Sequence, residues 1–239
     1  MNLIKPIKNK NLQEKTLIVC DFDGTITSND STDEILKRFS LLDWRKIGSD
    51  YDHGKISHFE MNRQFAKSII INRKLMSNFI KATIKLRKGF KSFFQRCIDT
   101  NTRLVIVSSG WDVYIKVILK DFDIDFITES KDLKSLNLNT NRVSVICNHL
   151  NYTGNGKWKL SNGWNKLSCK VSSPCKGKIM QILGAGRMHK VAIGNSSTDF
   201  CMVEKADQIF STGSLSSLSE NKHIKSVKFE QFNQLLKYL

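Results

Sequence analysis

Three short runs of consecutive apolar, largely β-branched residues punctuate the chain: Thr16 to Cys20 (TLIVC), Arg103 to Val107 (RLVIV) and Lys190 to Ile193 (KVAI). They lack the polar–apolar alternation of a half-solvated strand, which fits strands buried on both faces of a parallel sheet. Each run ends in small polar or acidic residues, namely Asp21, then Ser108-Ser109-Gly110, then Gly194-Asn195. Segments with helical spacing of apolar residues flank the later runs: Gly89 to Thr100, Asp112 to Lys120, Lys176 to Leu183 and Thr198 to Lys205. The pattern predicts an α/β fold with a doubly wound parallel sheet. In such a sheet ligands bind outside the carboxyl ends of the strands, so the three polar ends should converge on one crevice.

Between the first strand and Gly89 the periodicity is helical throughout, over Thr32 to Phe39, Trp44 to Tyr51, Ser57 to Ile70 and Lys74 to Leu86. This predicts a helical insertion after strand one. It divides the chain into a core of residues 1–29 and 88–239 and a small helical cap of residues 30–87. Asn137 to Pro174 carries much of the Gly, Asn and Trp and is expected to form a hairpin-bearing loop beside the crevice, with Trp158, Trp164 and His149 facing the pocket or packing on the core. Phe229 to Leu239 is expected to close the chain as a short helix.

Composition changes this picture little. With 239 residues, 40% of them hydrophobic and 25% charged, the chain can bury a sizeable core without disulfides. Met1 to Lys15 is rich in Lys and Asn and holds no apolar stretch of signal-peptide length, and no run approaches a membrane span. Six scattered cysteines suit reduced thiols, so a cytoplasmic setting without membrane attachment is expected. Cys147 and His149, followed by Cys169 and Cys175, have the residue types of a zinc site, but none of their spacings is a CxxC knuckle. The net charge of +16 steers anions inward. Its basic residues form no dense run or aromatic stripe, which favours a solvated lysine-rich surface over a nucleic-acid face.

The chemistry concentrates in Asp21-Phe22-Asp23-Gly24-Thr25. Two carboxylates one residue apart at the mouth of a buried strand repel each other unless a cation neutralises them, and Mg2+ accepts such a carboxylate, a backbone carbonyl and waters. A DxDGT segment after an apolar strand resembles the first motif of the haloacid dehalogenase superfamily, and the other motifs follow in order. The resemblance implies a Rossmann-like core, an Asp21 nucleophile that is phosphorylated, and an Asp23 that protonates the leaving oxygen and then activates water. Gly24 and Thr25 would shape the turn, with Thr25 near the phosphate. Ser108, with Ser109 and Gly110, matches the second motif, which binds a phosphoryl oxygen. Lys176 matches the lysine of the third, with Lys178 as the neighbouring alternative. Gly194 to Asp199 matches the fourth, usually GDxxxD, with Asn195 in place of the first aspartate. The implied metal set is therefore Asp21, Asp23, Asn195 and Asp199, one negative charge short of the family pattern.

Helices inserted after strand one resemble the first cap class of the superfamily, shared with phosphoserine phosphatase-like enzymes that act on small phosphorylated metabolites. Thr25 to Asp30, Trp44, Tyr51, Gly54 to Ser57 and Glu60 are most similar to the methionine-salvage branch, which hydrolyses 2-hydroxy-3-keto-5-methylthiopentenyl 1-phosphate. Asp30 occupies the position of a substrate-gripping acid, and also that of a helix N-cap. Two further readings stay open: a phosphate-ligand binding protein weakened by Asn195, and a phosphatase acting on nucleic-acid ends.

Overall fold

The computed structural model describes residues 15–135, 142–186 and 188–239; most of the Met1 to Lys15 segment lies outside them. Seven strands form one sheet in the order β3-β4-β2-β1-β7-β8-β9, and all its neighbours run parallel. Its centre is β1 (Lys15–Cys20), between β2 (Arg103–Trp111) and β7 (Met188–Gly194). These are the three strands that the apolar runs predict. Leu17 to Cys20 are wholly buried because helices cover both faces, the condition under which a strand has no polar side to alternate with. The outer strands are β3 (Ile124–Ile127), β4 (Val143–Asn148), β8 (Gln208–Ser211) and β9 (Val227–Lys228). Core helices are α5 (Phe90–Asp99), α6 (Asp112–Ile118), α7 (Lys176–Leu183), α8 (Phe200–Val203) and α9 (Gly213–Asn221). The tail closes as a 3-10 helix, Phe232–Tyr238, whose Phe232 packs on Phe90 and Phe93.

Four helices separate β1 from α5: α1 (Ser31–Phe39), α2 (Trp44–Asp52), α3 (His58–Ser68) and α4 (Arg73–Thr83). Their starts are written locally. Asp30, Asp43, Ser57 and Asn72 each accept a hydrogen bond from a first-turn N–H, worth about 1 kcal/mol per cap. The helical segment joins the core through a paired neck, where Thr27 bridges Leu86 and Arg87 N–H donates to Ile26 O at 2.7 Å. Arg87 braces this neck further, donating to the carbonyls of Thr25, Gly24 and Glu230.

A second attachment comes from the hairpin β5 (Leu150–Gly154) and β6 (Lys157–Leu160). Ile71 N–H donates to Gly156 O at 2.9 Å, and Trp158 Nε1 donates to Ile71 O at 2.8 Å. The tryptophans of the long loop therefore hold segments together and do not face the crevice: Trp158 clamps the hairpin to the helices, and Trp164 donates to Cys147 O at 2.7 Å. His149 pairs with Asp112 Oδ2 at 2.9 Å. No helix among the described residues is long and apolar enough to cross a membrane.

Candidate active site

The chain leaves β1 at Asp21, whose backbone N–H still bonds to Ile193 O, so the carboxylate is fixed relative to both β1 and β7. Asp21 is buried. Its Oδ1 accepts from Lys176 Nζ at 2.5 Å and its Oδ2 from Thr25 Oγ1 at 2.8 Å. Thr25, expected near the phosphate, thus sits beneath Asp21 and orients it. Lys176 opens α7, is 1% exposed, and also donates to Asp199 Oδ1 at 2.5 Å. Lys178 points elsewhere, to Ser168 O on the surface, so Lys176 is the one of the two that lies beside Asp21.

Asp199 is engaged on both oxygens: Oδ1 by Lys176, Oδ2 by the N–H groups of Asn195 and Ser196. The sequence expectation made it a metal ligand. In the structure its two oxygens anchor Lys176 and hold the turn after β7. The carboxamide of Asn195 remains beside Asp21 and Asp23 in the lining of the crevice.

Asp23 turns toward the inserted helices. Its Oδ1 accepts from Ser31 N–H at 3.0 Å, and its Oδ2 from Tyr114 Oη at 2.5 Å and Ser108 Oγ at 3.4 Å. Ser108 in turn accepts from Gly110 N–H at 2.9 Å. Gly110 is required by close approach: a Cβ there would lie 1.6 Å from Tyr114 Oη and 2.6 Å from Asp23 Oδ2. Ser109 also lines the crevice, and its carbonyl accepts from Asn62 and Asn148.

Electrostatics follow from burial. Burial raises Asp21, the Asp199 carboxylate adds to this, and Lys176 opposes it, leaving Asp21 at about 7. Asp23 is raised by burial and held back by its bonds to Tyr114 and Ser31. For Lys176, burial acts against the ammonium, but Asp199 and Asp21 together outweigh it and keep it charged. One ammonium therefore faces three buried or half-buried carboxylates. Such an excess of negative charge, with oxygen donors only, fits a hard divalent cation held by Asp21, Asn195 and a backbone carbonyl.

These groups open into a cavity of about 210 Å³ between the strand ends and helices α1 and α3. Its far wall contains His58, Met61, Asn62 and Phe65 from α3, with Asp30, Thr32 and Asp33 at the mouth. Asp30 is the N-cap of α1, accepting from Asp33 N–H at 3.0 Å, and it also faces the cavity. Sequence reasoning missed the α3 residues and Tyr114. His58 is 4% exposed and its Nδ1 has no hydrogen-bond partner. Burial pushes its imidazole down to about 4, so it is neutral at physiological pH. Asn62 is held at both ends of its amide, donating to Ser109 O and accepting from Trp111 Nε1 at 2.6 Å. A wider depression of about 810 Å³ beside α5 contains none of this constellation.

A buried, lysine-paired aspartate at the end of the central strand of a doubly wound sheet marks the chain as an enzyme of the Rossmann-like class. The sequence pattern of the haloacid dehalogenase-like hydrolases matches residues 18–204, and the chain belongs to that family. A relative from an Exiguobacterium species, named 2-hydroxy-3-keto-5-methylthiopentenyl-1-phosphate phosphatase, is 26% identical over 94% of this chain and 97% of its own. A relative from Brevibacillus brevis with the same name is 24% identical over 95% and 96%. Among solved structures, a phosphoserine phosphatase captured as a phospho-aspartyl intermediate analogue superimposes with a TM-score of 0.61 at 20% identity, covering 95% of this chain and all of that one. A substrate-bound phosphoserine phosphatase gives 0.64 at 20% identity, covering 95% and 99%.

Proposed function

We propose that the chain is a Mg2+-dependent phosphomonoesterase that hydrolyses a small phosphorylated metabolite through a phosphoaspartate at Asp21. The observation that carries this reading is the Asp21–Lys176–Asp199 ion cluster, set beside Asp23 in the crevice between the strand ends and the inserted helices. Thr25 and Lys176 aim the Asp21 carboxylate, and Lys176 offsets the repulsion between a negative nucleophile and a negative phosphoryl group. Ser108 and the backbone beside it bind the non-reacting phosphoryl oxygens. Asp23, raised by burial, holds a proton for the leaving oxygen and takes one from water in the second step, a role its bond to Tyr114 orients. Bound Mg2+ supplies charge neutralisation at the nucleophile and phosphoryl group.

Residues 30–87 act as the cap that excludes water and selects the substrate. A cavity of this size suits a small metabolite. The α3 wall offers Met61 and Phe65 to an apolar tail, with the His58 ring beside them for a hydroxyl or keto oxygen. That combination favours 2-hydroxy-3-keto-5-methylthiopentenyl 1-phosphate, the compound in the relatives' name, whose thioether suits a polarizable methionine contact. Asp30 and Asp33 at the mouth support a second reading, an amino-bearing phosphomonoester such as phosphoserine. Six free cysteines agree with a cytoplasmic enzyme.

Phosphate release from a panel of both compounds and simple sugar phosphates, with and without Mg2+ and with Asp21→Asn as control, tests the proposal. Mg2+-dependent turnover abolished in the variant is expected. A folded protein that gains thermal stability from these ligands yet releases no phosphate would be a binding protein, and the proposal would fail.

A further inference from the structure

Three of the six cysteines, none of them placed in the phosphoryl chemistry, meet in space. Cys169 lies in the loop before α7, Cys175 is the N-cap of α7, and Cys201 is in the first turn of α8. Their sulfur atoms all lie within 4.8 Å of one another. Of the four residues with zinc-ligand chemistry noted in the sequence, Cys169 and Cys175 belong to this group and Cys147 and His149 do not. Cys147 lies on β4 with its side chain in the core cluster, His149 is paired to Asp112, and Cys201, distant in sequence, takes the third place.

The fold brings the trio together through one tight contact. A Cβ on Gly177 would lie 2.1 Å from Cys201 O, so only glycine lets the first turn of α7 press against α8. Polar groups then surround the sulfurs. Gly177 N–H donates to Cys201 Sγ at 3.4 Å, and Ser172 Oγ lies 3.5 Å from both Cys169 Sγ and Cys201 Sγ. The Gly177 N–H directed at Cys201 Sγ stabilises its thiolate, as outer-shell donors do around metal-bound cysteine, and the Ser172 hydroxyl can turn its one proton to either of its two sulfurs.

We propose that Cys169, Cys175 and Cys201 form a binding site for one thiophilic d10 cation such as Zn2+. A tetrahedral ion with metal–sulfur bonds of about 2.3 Å spaces its sulfurs roughly 3.8 Å apart, so closing the trio on a metal needs side-chain shifts of about an ångström. Three mutually close sulfurs match a metal better than a disulfide, which would join two and strand the third. Thiolates select soft cations, whereas the oxygen donors around Asp21 select Mg2+, so the two sites do not compete. Binding converts three thiols and M2+ into a metal trithiolate and three released protons, with no change of oxidation state. Cys175 precedes Lys176 and Cys201 follows Asp199 by two residues, so the ion would staple the two segments that carry the Lys176–Asp199 pair.

The test uses the full-length reduced chain with millimolar Mg2+ present to occupy the carboxylate site. Titration with Cd2+, followed by sulfur-to-metal charge-transfer absorption, should saturate at one ion per chain, and Zn2+ should abolish that signal by displacement. Cys169→Ser and Cys201→Ser should each weaken binding by more than about 100-fold. On the unmodified chain, one equivalent of Zn2+ should slow alkylation of Cys169 and Cys201, read by peptide mass. The absence of a charge-transfer band in the wild-type protein overturns the proposal. So does an unchanged titration in the serine variants, or alkylation indifferent to Zn2+.

Discussion

The two sides of the cavity are built differently. On the strand side every charged group has a partner fixed by backbone geometry: Lys176 lies between Asp21 and Asp199, Thr25 braces Asp21, and two backbone N–H groups hold Asp199. On the helix side Asn62 is bonded through both ends of its amide, but His58 Nδ1 has no partner, and Met61 and Phe65 present apolar surface. A saturated side is organised before any ligand arrives, which suits a phosphoryl group common to all substrates. A side with an unspent polar atom is completed by its ligand, which suits selection among substrates.

The largest effect should come from breaking the saturated side. Lys176→Met leaves Asp21 and Asp199 buried without their counter-charge, and removing one partner of such a cluster costs about 3–5 kcal/mol of stability. Turnover should fall on the order of 10³-fold or more. Denaturant unfolding and steady-state kinetics measure the two. Mg2+ should recover part of the stability and little of the rate. A variant as stable as wild type would show that the cluster is solvated and the contrast false.

His58 sharpens the other side. Its imidazole is pushed by burial from 6.5 to about 4 in the folded chain. Between those values the unfolded chain binds the extra proton, so stability is full above about 6.5 and is lost as pH falls toward 4. The full loss is about 3 kcal/mol. His58→Gln should remove that dependence, seen as a flatter midpoint-against-pH curve. It should also raise KM for a substrate with a hydroxyl or keto group near the phosphate, more than for a plain alkyl phosphate. Equal changes for both would place His58 outside substrate selection.

The same contrast explains what could be read from sequence. β1, β2 and β7 were legible because burial on both faces demands uninterrupted apolar runs, and those strands deliver Asp21, Ser108 and Asn195. Helix α7 was legible with Lys176 at its start, as was the helical insertion, whose caps are written within a few residues. β4 was hidden by Ser144 and by its place in a stretch rich in loop residues, and β8 by its four-residue length. The partners of Asp199 and Thr25 depend on turns that no spacing encodes. His58 and Tyr114 lie at unremarkable positions on helices, and only packing of α3 and α6 over the strand ends gives them a site.

Tyr114 links the two sides, since its hydroxyl bonds both Asp23 and Thr32 of α1. Tyr114→Phe removes a bond that holds Asp23 down. The kinetic limb belonging to Asp23 should move to higher pH. The rate should fall roughly 30-fold, about 2 kcal/mol, the usual worth of a hydrogen bond to a charged group. A rate loss without a shift of the pH profile would assign Tyr114 to closure of the helices and not to the acid.

Asn195 offers the smallest change, because it adds a charge to an otherwise intact saturated side. Asn195→Asp restores the acidic residue usual in the family pattern, at a position lining the cavity with Asp21 and Asp23. Without metal the new carboxylate adds to the repulsion that already raises Asp21, so the metal-free variant should be slightly less stable than the parent. With Mg2+ the sign reverses, because each added anionic ligand strengthens a hard-cation site. Half-saturation by Mg2+ should therefore fall about tenfold, or about 1.4 kcal/mol. Calorimetric Mg2+ titration and melting with and without metal measure both arms. Lower metal-free stability combined with tighter Mg2+ binding would identify residue 195 as a metal ligand. Unchanged Mg2+ binding would place the ion elsewhere and leave Asn195 as packing for the turn after β1, where its amide lies against Gly24.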